Sequence, residues 1–139
     1  MLREKVLKLP EQIPYELSEL QLSRAKETLK YIPTIIDVGD YNTAINRAYY
    51  AAFHAIKALE ILDNFDSKKH SGVIAYFRQQ YVKTGKLDVS LSKIIDVLQT
   101  RREDSDYNMI IQFDSGDAYD ALEKAKTFVN AIEEYLKAE

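Results

Sequence analysis

Two side chains seven residues apart carry the first chemical suggestion in this chain. In the stretch Asp40 to Leu62, DYNTAINRAYYAAFHAIKALEIL, Arg47 and His54 fall on nearly one line of a helix. They are separated by two turns, roughly 10 Å along the axis. Tyr50 lies beside them. A guanidinium grips the non-bridging oxygens of a phosphodiester as a fork, and an imidazole moves a proton near neutral pH. That pair is the sequence candidate for catalysis. The plainer reading is that both make structural hydrogen bonds to neighbouring helices.

A second cationic group follows in TRREDSDYN, residues 100–108. The apolar stripe Leu91, Ile94, Ile95, Leu98 runs on into Arg101 and Arg102, so at least one of them is expected in the interior or an interface. A buried arginine needs an acid. Asp106, four residues beyond Arg102, is one candidate. Tyr107 offers a ring for stacking a base, so the functional reading is an anion- or RNA-binding rim. The structural reading is an Arg–Asp clamp. His70, in SKKHSG, adds an imidazole beside two lysines at a helix start. That is either a modest anion site or a solvated helix end.

Other chemistries are excluded by composition. With no cysteine and two histidines in 139 residues, neither thiol catalysis nor a His-rich metal site is available, and no metal or cofactor is expected. There is no phosphate-binding glycine loop or nucleophile elbow. A net charge of −3 with interspersed signs gives no global basic field. No stretch has the length of a membrane span or a signal peptide, so a soluble cytoplasmic protein is expected.

The elements that must hold these residues are helices. Four glycines and three prolines are few, and apolar spacing is helical almost throughout. Residues 1–14 read as an N-terminal extension, with Leu2, Val6 and Leu9 able to form one turn. A helix is expected from near Pro14, ending or kinking at Pro33. Asp40 is the expected N-cap of the central helix, whose Ile45, Tyr49, Ala52 and Ile56 face a core. Ser67 is read as the cap of a third helix that ends at Gly85, and a fourth starts near Leu87. The segment Met109 to Phe113 is expected to be pinned to the bundle. A fifth helix, capped by Asp114 or Ser115, carries an unbroken heptad from Ala118 to Leu136. The expected fold is an all-α, antiparallel four- to five-helix up-and-down bundle over residues 15–139.

The block NRAYYAAFHAIKAL, preceded by Asp40-Tyr41 and followed by KKHSGV and RREDSDY, resembles the HEPN domain family (higher eukaryotes and prokaryotes nucleotide-binding). The likeness covers about residues 15–137. It implies a bundle that commonly dimerises, and for many members a metal-independent ribonuclease toxin or defence nuclease with an Arg-x(4–6)-His motif across the dimer. Small members are often paired with a minimal nucleotidyltransferase antitoxin. In typical nuclease members that motif lies near the end of the later helix. Here that place holds Arg101, Arg102, Asp106 and Tyr107, with no histidine, while Arg47-x6-His54 has the spacing on the earlier helix.

The resulting expectation is a homodimeric HEPN protein binding nucleotide or RNA phosphate in a cleft framed by Arg47, His54, Arg101 and Arg102. It would work with a nucleotidyltransferase as half of a toxin–antitoxin-like pair. The alternatives are an active metal-independent ribonuclease and a structural dimerisation module.

Overall fold

The structure is a computed structural model and describes residues 11–108 and 110–138. Five α-helices are arranged as α1 (Ile13–Asp37), α2 (Tyr41–Leu62), α3 (His70–Phe77), α4 (Ser90–Tyr107) and α5 (Ser115–Ala138), and α3 runs on into a π-helical turn, Arg78–Val82. This is the all-α up-and-down bundle that the periodicity predicts. The expected turn around Leu2, Val6 and Leu9, and the place of Met109, lie outside the described residues.

Helix α2 is the axis of the fold: among the described residues it packs against every other helix. Ile45, Tyr49, Ala52 and Ile56 are fully buried on one side, and Ala51, Ala55 and Ala58 are equally buried elsewhere around it. Alanine lets a neighbouring backbone approach closely, and the buried Ser18 hydroxyl of α1 donates to the Ala58 carbonyl at 2.7 Å. The end of α2 that carries His54 and Ala58 therefore meets α1. Phe77 and Phe128, both fully buried, join α3 to α5 with ring centroids 5.4 Å apart.

Pro33 does not end α1. The helix continues to Asp37 with Pro33 inside it. Proline costs one intrahelical bond. Ile32 and Ile36 on either side of it are buried against the core and hold the register. The chain then reverses at Gly39, whose φ of 83° favours glycine.

Asp40 caps α2 as expected. Its Oδ1 accepts from the Thr43 backbone N–H at 3.3 Å and its Oδ2 from the Thr43 hydroxyl at 2.7 Å. Asp40→Ala should lower unfolding stability by about 1 kcal/mol in urea titration, with Asp40→Ser largely restoring it. Ser67 is not the cap of α3. Its hydroxyl takes the Lys69 N–H in the preceding turn, at 3.2 Å, and α3 starts at His70. At the head of α5, Asp114 Oδ1 accepts from Asp117 N–H at 2.8 Å and Asp117 Oδ2 from Asp114 N–H at 3.0 Å, a reciprocal cap. Among the described residues of the segment before it, Phe113 packs on the core. Ile110 is 90% exposed, because an isolated turn residue has no facing helix to cover it.

Candidate phosphate-binding site

The edge of α2's core stripe emerges between α3 and α4 as Asn46, Tyr50 and Phe53, one residue after each buried neighbour. The last two turns of α4 bring Arg102 and Asp106 against that edge, and the first residue of α3 brings His70. Two guanidiniums share one ring here: the Arg47 carbon lies 5.0 Å and the Arg102 carbon 5.5 Å from the Tyr50 centroid. Arg102 is also 5.1 Å from the Tyr49 ring. Cations over tyrosine faces are held by the ring quadrupole.

A polar bridge links the two cations. Arg47 Nη2 and Nε donate to Asn46 Oδ1 at 2.8 and 3.2 Å. The Asn46 amide donates to Asp106 Oδ2 at 3.4 Å, and that oxygen lies 3.3 Å from Arg102 Nε. The ion pair does not have hydrogen-bond geometry, so the buried Nε–H of Arg102 is left without an acceptor. Two guanidiniums against one carboxylate leave the group net positive. Burial works against the Arg102 charge, but Tyr50, Tyr49, Asp106 and Tyr107 together hold its pKa above the ordinary value. Beside Asp106 an open cleft of about 480 Å³ runs toward the N-terminus of α2.

His70 belongs to this group. Its ring stacks on Phe53 with centroids 4.2 Å apart, and its Nδ1 lies 3.0 Å from the Tyr49 hydroxyl. The Arg102 guanidinium lies over the Tyr49 ring, and burial pushes the Tyr49 phenol up to about 12. Tyr49 therefore keeps its proton, and its hydroxyl and His70 Nδ1 share one hydrogen bond. Burial, then the charges of Arg102 and Lys57, hold the imidazole pKa below its usual value. The result is a neutral histidine within a cationic cluster.

The structure separates the other sequence candidates from this cluster. His54 turns to α1, with Nδ1 2.8 Å from Gln21 Oε1, so it does not share a pocket with Arg102. Arg101 turns to α5, where Nη1 lies 2.8 Å from Asp120 Oδ2 and donates to the Asp117 carbonyl at 3.4 Å. Arg101 is thus the clamp between α4 and α5, and of the four residues expected to frame one cleft the structure brings only Arg47 and Arg102 together. Adjacent helix positions differ by about 100°, so neighbouring arginines face different helices. Tyr107 is 76% exposed at the end of α4. Asn46, Tyr49 and Phe53 were missed as site residues, although Asn46, Tyr50 and Phe53 repeat at the spacing of one helix edge.

Among the described residues no cluster of histidine and acidic side chains could hold a metal ion, and no helix is long and apolar enough to cross a membrane.

The family model of the HEPN domain matches residues 18–135. This chain belongs to the HEPN domain family. Among its HEPN-like relatives, a "UPF0332 protein" of Thermotoga maritima is 33% identical over 114 residues, covering 82% of this chain and 86% of its own. A protein of Methanocaldococcus jannaschii that bears the name "Putative toxin" is 32% identical over 121 residues, 87% of this chain and 82% of its own. A second protein of that name from the same organism is 33% identical over 113 residues, 81% and 84% of the two chains. The matched span contains the whole Arg47–Arg102 cluster. In this HEPN chain the cluster draws on three helices, with α2 supplying the floor.

Proposed function

We propose that this HEPN protein binds the phosphate of a nucleotide or an RNA strand at the Arg47–Arg102 pair. The observation that carries this is the convergence of two guanidiniums on Tyr50 with a single carboxylate between them. Guanidinium forks suit phosphate oxygens. His70 adds an imidazole beside the pair, and exposed Tyr107 a face on which a base can stack. The two relatives named as toxins favour a toxin-like role. In that role the protein acts as a homodimer and as one half of a pair with a minimal nucleotidyltransferase antitoxin in the cytoplasm. Fluorescence anisotropy with a labelled single-stranded RNA, competed by ATP, tests the binding. Salt-sensitive micromolar binding is expected. No binding at about 100 μM protein in low salt sinks the proposal.

A second reading has one specific observation in its favour. A neutral imidazole linked through Tyr49 to a phosphate-binding arginine has the parts of a metal-independent ribonuclease. With Nδ1–H donated to Tyr49, His70 Nε2 would take the 2′-hydroxyl proton as that oxygen attacks phosphorus, and the imidazolium would return it to the departing 5′-oxygen while Arg102 offsets charge on the phosphorane. His70→Ala should then cut RNA cleavage in EDTA by about 100-fold or more, and His54→Ala should change it little. Equal cleavage in both variants, or none by the wild type, removes this reading and leaves binding alone.

A further inference from the structure

We propose that the hollow between α1 and α2, lined by Ser23, Arg24, Thr28 and His54, is a second phosphate site in which binding is coupled to proton uptake by His54. It lies on the α1-facing side of α2, about 100° round the helix from the Phe53 on which His70 stacks, and does not rest on the reading of the Arg47–Arg102 cluster.

The hollow has a volume of about 320 Å³, ample for a phosphate group. Gln21 Oε1 can only accept, so His54 Nδ1 carries the proton and Nε2 is left as the basic nitrogen. Three cations act on that ring: Arg24 from α1, and Arg47 and Lys57 from α2. Two of the three are already engaged. Arg47 is held by Asn46, and Lys57 Nζ is 2.9 Å from Asp66 Oδ1. Arg24 has no acid within 4 Å among the described residues. Glu27 is the acid on the rim, one turn along α1 from Arg24, and it makes no ion pair with it. Ser23 and Thr28 add hydroxyl donors.

The coupling follows from the charges. In the empty hollow burial, then Arg24, Arg47 and Lys57, disfavour the imidazolium, so His54 is neutral. A phosphate seated on Arg24 offsets those cations. Nε2 then takes a proton from solvent and donates it in a hydrogen bond to a phosphate oxygen, and the anion and the proton favour each other.

The chain's two histidines make the test direct, because each gives its own ring C–H signal by NMR. In the full chain, 20 mM inorganic phosphate should raise the His54 titration midpoint by about one pH unit relative to chloride at equal ionic strength. His70 should move by much less. Arg24→Ala should raise the His54 midpoint without phosphate and abolish the phosphate-linked rise. An unphosphorylated trinucleotide and its 5′-phosphorylated form separate two sources of the same chemistry: a rise with both marks a strand phosphodiester, and a rise with the second alone a terminal phosphate. A His54 midpoint unmoved by phosphate, or moved equally in Arg24→Ala, overturns the site. Either result is separate from RNA anisotropy on Arg102 variants, which reads the other cluster.

Discussion

Replacing Arg102 with alanine should weaken single-stranded RNA binding by about tenfold or more while lowering stability by about 1–3 kcal/mol. The binding loss comes from one of the two forks. The stability loss has a different source. The Arg102 side chain is only 18% exposed, lies against two tyrosine rings and faces Asp106. Its removal leaves Asp106 with only the neutral Asn46 amide and Ser105 hydroxyl, and uncovers the Tyr49 and Tyr50 rings. Arg102→Lys keeps the charge without the planar fork, so it should recover more of the stability than of the affinity. Anisotropy and thermal melts on the same samples read both quantities. A large drop in melting temperature with unchanged RNA affinity would make Arg102 a clamp, as Arg101 is, and would remove the binding proposal's main support.

Glu60→Gln should raise the melting temperature at pH 8 by about 10–20 °C and leave it nearly unchanged at pH 4. Glu60 is 1% exposed on α2, and neither carboxyl oxygen has a hydrogen-bond partner. Burial raises its pKa from 4.5 to about 8, with Lys57 opposing and Asp63 and Asp66 adding to the rise. Below pH 4.5 folded and unfolded chains both hold the proton, and the site has no pH-linked cost. Between 4.5 and 8 the unfolded chain releases the proton while the folded chain keeps it, so stability falls as pH rises. Above 8 both forms are ionised and the loss levels off. At about 1.4 kcal/mol per pH unit of displacement, the full effect is on the order of 5 kcal/mol. Glutamine cannot ionise, so the variant should lose this slope. Parallel slopes in wild type and variant between pH 4.5 and 8 would show that Glu60 is ionised in the folded protein.

Much of this architecture is written in local sequence. The 3–4 spacing of Ile45, Tyr49, Ala52 and Ile56, the Asp40 cap and the glycine at 39 determine where α2 lies and which side faces the core. The same periodicity gives the other helices and so the bundle and, with the Arg-Ala-Tyr-Tyr block, the family. The partners of the polar residues were not legible. A helical wheel places Arg47 and His54 on one line, but it cannot show that α1 covers the His54 end and offers Gln21, while the Arg47 end remains beside α4. Nor can it choose which of Arg101 and Arg102 meets an acid on α5 and which meets tyrosines on α2. Ser67, which reads as a cap, satisfies its own turn instead. The apolar pattern acts within one helix, over a few residues, so sequence alone determined the helices and their buried stripes. Only the tertiary structure decided the site, because a guanidinium or imidazole takes its role from whichever helix packs against it, and that helix is many residues away along the chain.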